Sequence, residues 1–470
     1  MHRTVVLDVV GLSAGLIGEE TPYLQTLARD GACRSLHTVL PAVTCSVQAT
    51  FTTGVPPRDH GCVGNGWYFR DLAEVSFWRQ SNHLVAGEKI WDAARKQGDG
   101  FTCAKLFWWF NMYSSADVSV TPRPIYRADG LKIPDIYTYP SELRAELTAT
   151  LGPFPLFDFW GPKAGLGSTE WIARCARHVF ERCRPTLTLV YLPHLDYDLQ
   201  RYGPEDARSR RALRDVDALC ADLVESFTRE GARVVILSEY GITPVRGPVH
   251  INRVLRGEKL LAVRSEQGLE KLDAGASDAF AVADHQIAHV YVRRPEQVSE
   301  VKRVLESVPG IETVLDDDGK RACALDHPRA GDLVAVAAPD RWFTYYYWLD
   351  DAVAPEFART VDIHRKPGYD PVELFVDPAL RFPRAKVGWT LLRKSLGFRY
   401  LMDVIPLDAS LVKGSHGRLP ERAADRPVVI STEPALLPQG DIQATEIKPL
   451  ILAHLFDVRS RERTAERRAS

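Results

Sequence analysis

The sequence predicts an α/β protein built on a mostly parallel sheet, and three short apolar runs carry that expectation. Val5-Val6-Leu7, the run LTLVYL at 187–192 and the run VVIL at 234–237 are each continuous rather than alternating. Strands buried on both faces by helices read this way, because neither face meets water. Polar clusters and helix-like stretches separate the runs. Thr21-Pro22 opens one helix, since threonine caps and proline suits a first turn; residues 210–230 show helical periodicity. Strand, polar cluster, helix and strand in succession imply a parallel sheet with helices on both faces.

The remaining segments follow in order. Residues 104–140, with FWWFNMYSS and TPRPIYRADGLKIPD, are rich in aromatics and proline and predict a long irregular segment. A loop of that length is usually functional or disordered, and the aromatic content argues against disorder. Residues 288–315 read as strand, helix, strand, a small unit that suits an inserted subdomain. Residues 331–349 return to a strand-like pattern, and the aromatic run from Trp342 to Trp348 reads as core or cap rather than as a base-stacking platform. The chain turns proline-rich after Arg418 and ends in RSRERTAERRAS, a predicted frayed tail.

At 470 residues the chain exceeds one ordinary core, so a large domain with an insertion, or two domains, is expected. Apolar residues make up 45% and charged residues 26%, as in a soluble globular protein. A net charge of -2 argues against a nucleic-acid polymer as partner. No run approaches the ~18 apolar residues that suggest a membrane span. The opening MHRTVVLDVVGLS lacks the pattern of a secretory signal, and the 8 cysteines are scattered without a CxxC pair. Both features predict a reduced, cytoplasmic setting.

The chemistry is expected where the strands end. Asp8, Asp196 and Glu239 each follow one of the apolar runs, and open parallel sheets bind ligands beyond the carboxyl ends of their strands. Three carboxylates there repel one another unless a cation stands between them, for which a divalent metal is the economical answer. Taken singly, each acid reads more readily as a cap or turn residue. The segment VTCSVQATFTTG, from Val43 to Gly54, adds a hydroxyl at the start of a helix, where amide dipoles are positive.

Thr44, Thr53-Gly54, Pro57, His60-Gly61 and Gly64-Asn65 stand in register with a known pattern. The segment resembles the nucleophile region of the type I phosphodiesterase/nucleotide pyrophosphatase branch of the alkaline-phosphatase superfamily, which includes phosphonoacetate hydrolases. The other motifs follow in order: Asp8 after the first strand, LPHLDYDLQRYGP with Asp196, SEYG with Glu239, and GSHG with His416. The resemblance implies an alkaline-phosphatase-like three-layer sandwich with a central, mostly parallel sheet and an inserted small α+β subdomain. Residues 1–255 and 331–420 would form the core, 256–330 the insertion, and 421–470 a C-terminal extension.

The resemblance further implies a metal-dependent hydrolase of a small phosphodiester, pyrophosphate or phosphonate, with Thr44 as nucleophile. The implied metal positions are Asp8, Thr44, Asp196, Gln200, Glu239, Tyr240 and His416. The departures fall on these positions. Gln200 and Tyr240 stand where the pattern has histidines, Glu239 where it has Asp, and Val47 where it has a phosphate-facing Asn. The expected cofactor is one or two divalent ions, Zn or Mn/Mg; oxygen ligands favour magnesium or manganese over zinc, or one ion rather than two. Other histidines, chiefly His364 and His194 and also His250 and His285, are candidates to fill the gap. The alternative from another class is a non-catalytic or metabolite-binding member of the fold that has lost part of its metal site.

Overall fold

The computed structural model describes residues 1–29, 31–128 and 131–457, and in it the three apolar runs lie side by side. In chain order the elements used below are strands β1 (Thr4–Val9), β2 (Cys33–His37), β3 (Cys103–Leu106), β4 (Val118–Pro122), β5 (Ile136–Tyr139), β6 (Leu187–Leu192), β7 (Arg233–Leu237), β8 (Ala279–Asp284), β9 (Ile287–Val292), β10 (Ile311–Leu315), β11 (Leu333–Ala337), β12 (Val428–Ser431) and β13 (Ile442–Gln443). The helices are α1 (Thr44–Thr53), α2 (Leu166–Cys183), α3 (His194–Tyr202), α4 (Ala207–Arg229), α5 (Val298–Glu306), α6 (Pro383–Ser395) and α7 (Ile447–Phe456).

The main sheet has the order β13-β2-β12-β7-β1-β6-β3-β4-β5. Its centre is parallel: β1 pairs with β6 and β7, β6 with β3, and β3 with β4. Every residue of β1 and β6 is buried. That is the physical content of their unbroken apolar pattern: helices such as α2 and α4 cover the sheet, so no position is left for a polar residue facing water. In this register Asp8 lies opposite Tyr191 and Leu237. The chain therefore leaves β6 and β7 just beyond Asp8, carrying Asp196 and Glu239 to the same edge.

The second unit is a four-stranded antiparallel sheet, β8-β9-β11-β10, with α5 beside it. It is separate from the main sheet, as the strand-helix-strand pattern at 288–315 predicts, but it includes β11, beyond the expected boundary at 330. The run from Trp342 to Trp348 packs into this unit's core, with Trp342, Phe343, Tyr345, Tyr346, Tyr347 and Trp348 all buried.

Two other expectations are corrected. Residues 104–140 are not simply irregular, since they contribute to β3 and supply all of β4 and β5 in the main sheet. Nor are residues beyond 420 an extension. β12 inserts antiparallel between β7 and β2, and β13 closes the edge, while α7 packs on α1 and β1. Strands this short, separated by proline, give little periodicity to read. The predicted frayed tail at the end of the chain lies outside the described residues.

α1 joins the two units. All ten of its residues are buried. Val47 and Phe51 belong to the apolar cluster around the main sheet, Cys45 and Ala49 to the cluster around the small sheet. The Val47 position is thus a core contact.

Candidate active site

Thr44 is the first residue of α1, and its side chain meets the sheet edge. Val43 before it is extended and supplies no side-chain cap, so the helix begins with free amide groups and a positive end near the Thr44 hydroxyl. One of these amides, Cys45 N–H, donates to Asn65 Oδ1 at 3.0 Å. Asn65 is in turn held by Asp284 at the end of β8, which accepts from its backbone N–H at 2.8 Å and its side-chain amide at 3.0 Å. Burial pushes the Asp284 carboxyl up to about 7, against the lowering effect of these two bonds.

Asp8 and Glu239 form one side of the site. Both are fully buried. Gln48, one helical turn after Thr44 on α1, donates from Nε2 to Asp8 Oδ2 at 3.2 Å and to Glu239 Oε1 at 2.6 Å. Its own oxygen accepts Trp109 N–H at 2.7 Å. The other two oxygens, Asp8 Oδ1 and Glu239 Oε2, have no hydrogen-bond partner. Burial and the neighbouring Glu239 raise the Asp8 carboxyl well above the usual carboxylate range. Burial raises Glu239 to about 7, with the neighbouring Asp8, Gln48 and Thr44 side chains acting the other way.

Asp196, Gln200, Tyr240 and His416 form the other side. Gln200 Nε2 donates to Asp196 Oδ2 at 2.6 Å, and Tyr240 O–H donates to Asp196 Oδ1 at 3.3 Å. The Tyr240 oxygen also lies 3.1 Å from Thr44 Oγ1. Burial lifts Asp196 to about 7, partly offset by these donors. The Gln200 oxygen accepts from Tyr369 O–H at 3.4 Å. His416 donates from Nδ1 to Ala42 O at 2.8 Å, which leaves its buried Nε2 without a partner. Its ring stacks on Tyr240 at 3.6 Å and 5°, and lies 3.7 Å from the His285 ring. Gly414 lets this loop approach α3, because a Cβ there would sit 2.2 Å from Leu199 O.

Thr44, Asp196, Gln200, Tyr240, His285, Tyr369 and His416 line one cavity, with Trp78, Trp109 and Trp160 in its wall. Its free volume is ≈ 30 Å³, the room of about one water molecule. Small-molecule pockets run from about 300 Å³ upward, so a ligand must displace part of the aromatic wall.

A divalent ion, implied by the resemblance, fits one side only. Asp8 Oδ1, Glu239 Oε2 and the Thr44 hydroxyl are hard oxygen donors, and two of them are orphaned in the interior, as buried oxygens facing a cation or a shared proton would be. The other side does not fit. Both Asp196 oxygens are engaged, Gln200 turns its amide N–H₂ towards Asp196, and Tyr240 offers a donor where an imidazole would offer a lone pair. Among the described residues no three His, Cys, Asp or Glu side chains converge on a point that could hold a metal ion. The three strand-end acids thus share a neighbourhood without sharing a centre.

The two histidines expected to compensate do not reach the cavity. His364 is exposed in a loop, with its ring near Tyr126. His194 is buried at the start of α3 with Asp215 3.8 Å away. His285 is the histidine that arrives, carried by the tight turn between β8 and β9. Gln48, Asp284 and Tyr369 were not expected. Of these only Gln48 carried a signal, its helical spacing from Thr44, which places both on one face of α1.

Comparisons with known proteins bear on the family and the fold. A family model described as type I phosphodiesterase/nucleotide pyrophosphatase matches residues 4–370. An uncharacterized pyrophosphatase/phosphodiesterase of Schizosaccharomyces pombe is 22% identical over 241 residues, 48% of this chain and 41% of that protein. Human ectonucleotide pyrophosphatase/phosphodiesterase family member 7 is 23% identical over 240 residues, 48% of this chain and 44% of that protein. Each match spans less than half of the relative's length. Among solved structures, phosphonoacetate hydrolase from Sinorhizobium meliloti in complex with phosphonoformate superposes with a TM-score of 0.60 at 15% identity, covering 97% of this chain and 96% of that one. An inactive murine ectonucleotide pyrophosphatase/phosphodiesterase 5 in complex with AMP gives 0.57 at 13% identity, covering 97% and 95%. At these identities the superpositions establish the fold.

Proposed function

The chain belongs to the type I phosphodiesterase/nucleotide pyrophosphatase family, and on that premise we propose that it hydrolyses a small phosphodiester, pyrophosphate or phosphonate with Thr44 as nucleophile. One observation carries the reading: Thr44 Oγ1, Tyr240 O–H and Asp196 Oδ1 form a continuous chain of hydrogen-bond distances, 3.1 Å and 3.3 Å. The hydroxyl of Thr44 attacks phosphorus and the bond to the leaving group breaks. Its proton passes to the Tyr240 oxygen as Tyr240 gives its own to Asp196, a carboxyl raised to about 7 and therefore able to take it near neutral pH. Water then cleaves the phospho-threonine. Phosphonoacetate hydrolase carries phosphonoformate and the murine pyrophosphatase/phosphodiesterase 5 carries AMP in the structures named above, which supports the substrate class.

Asp8, Glu239 and Thr44 would hold a single hard divalent ion, magnesium or manganese in preference to zinc, and it would supply a lowered hydroxyl pKa and screening of the substrate's charge. The test is turnover of a generic aryl phosphodiester and of phosphonoacetate, with mass spectrometry of the trapped Thr44 peptide. Turnover with a phosphate on Thr44 supports the proposal; turnover unaffected by Thr44→Ala sinks it.

A second reading is favoured by the engaged side of the site. Gln200 and Tyr240 satisfy Asp196 as donors, and Tyr240 with His416 forms a closed stack. A protein that binds the same class of ligand without cleaving it would look like this. Ligand binding by calorimetry with no turnover at any metal concentration would select it.

A further inference from the structure

Most soluble proteins scatter their exposed large apolar side chains; here seven of those among the described residues gather on one helix and the segments that flank it. Phe382, Trp389 and Leu396 are 71%, 63% and 65% exposed, and Leu391, Leu392, Phe398 and Leu401 are exposed beside them. The helix is α6, beyond the residues that match the family model. Its inner side is settled: Thr390 is buried, Val387 packs on the core of the small-sheet unit, and Lys386 donates to Asp403 O at 2.8 Å. Its outer side presents Ala385, Trp389 and Leu392, with Phe382 and Leu396 at its two ends, all exposed. Those positions recur at alternating steps of three and four, so they form a continuous stripe along one helical face.

The charge around the stripe is one-sided. Residues 378–402 contain Arg381, Arg384, Lys386, Arg393, Lys394 and Arg399 and no acid, in a chain whose net charge is -2. The rest of the molecule is therefore net acidic, and of the segment's cations Lys386 is paired with Asp403 just beyond it, at 2.9 Å. From the stripe and its cations we infer that α6 is a membrane-surface anchor, lying in the headgroup region of an anionic bilayer with Trp389, Leu392 and Leu396 inserted and the arginines on lipid phosphates. Apolar residues on one face with flanking Lys and Arg are the composition of an interfacial helix. No helix among the described residues is long and apolar enough to cross a membrane, so the contact is peripheral. A second copy of the chain is a poorer occupant, because a twofold contact through this face would bring the same arginines together. The surface is an outward helix face rather than a groove, which leaves a peptide little to enclose it. The inference is independent of the reaction proposed for Thr44.

The test uses the full chain and vesicles of phosphatidylcholine, with or without phosphatidylglycerol. The protein should co-sediment with the anionic vesicles and be released by high salt. Trp389→Ser with Leu396→Ser should weaken vesicle binding by at least about tenfold, the effect of removing two large apolar side chains from a bilayer. Melting temperature and turnover should stay unchanged, because both side chains face solvent. Arg393→Gln with Arg399→Gln should remove the preference for the anionic lipid. Failure of the wild type to bind anionic vesicles at low salt overturns the inference. So does equal binding by the Trp389→Ser/Leu396→Ser variant, or a wild-type dimer in sedimentation that this variant dissolves.

Discussion

On one side of Thr44, Asp8 and Glu239 each keep an oxygen that no hydrogen bond reaches; on the other, Asp196 has both oxygens engaged by Gln200 and Tyr240. The two sides share the same kind of group, a buried carboxylate at the carboxyl edge of the parallel sheet. They differ in what the neighbouring residue offers. An imidazole nitrogen is a lone pair that joins a carboxylate around a metal, whereas an amide N–H₂ or a phenol O–H is a donor that satisfies the carboxylate directly. Exchanging one for the other closes a metal position without leaving a buried charge unpaired. Gln48 does half of this on the open side, reaching one oxygen of each acid and leaving the other pair.

The comparison can be broken or sharpened by experiment, beginning with the group between the two sides. Thr44→Ala should lower turnover by at least about 10³-fold while the protein stays folded; steady-state kinetics and circular dichroism read both. Next, magnesium or manganese at a hundred times its dissociation constant should stabilise the wild type by about 2.7 kcal/mol, and Asp8→Asn should erase that gain in a thermal-shift titration. Two tightly bound zinc ions by elemental analysis would show that the engaged side opens after all. Gln48→Ala should cost about 1–3 kcal/mol in urea unfolding, since it strips the donor from two buried carboxyls.

The closed side is tested in the opposite direction. Gln200→His with Tyr240→His and Glu239→Asp should raise zinc affinity by at least about tenfold, because lone pairs replace donors; competition with a chelating dye measures it. The smallest effect concerns a carboxyl on neither side. Asp284 sits at about 7 in the folded protein, above its ordinary 3.8. Between those values the folded state holds the proton more than the unfolded state does, so this group's contribution is full below 3.8 and is lost as pH rises to about 7. Asp284→Asn should flatten the slope of stability against pH in that window. An unchanged slope would assign it to Asp196 and Glu239, which are raised to the same value.

Much of this site is local in sequence. Thr44 at a helix start, an acid at or shortly after the end of each buried strand, and the Gln200, Tyr240 and His416 positions follow from short motifs, because a parallel sheet delivers the ends of its strands to one edge whatever lies between. The strand-helix-strand unit at 288–315 was legible for the same reason, its periods being those of its own backbone.

The pairing of groups was not local. Gln48 is a helix residue like any other until α1 is laid across β1, and His285 rather than His364 or His194 reaches the cavity because the turn between β8 and β9 points there. β12 and β13 entered the main sheet although the chain around them reads as a proline-rich extension, since a strand added to a sheet is chosen by its neighbours' unpaired backbone groups as much as by its own pattern. Residue types and their spacing determined which groups stand near the cavity. Packing decided which carboxylate oxygens met a donor and which were left open, because hydrogen bonding in a buried site depends on contacts between residues as distant in the chain as Gln48 and Glu239.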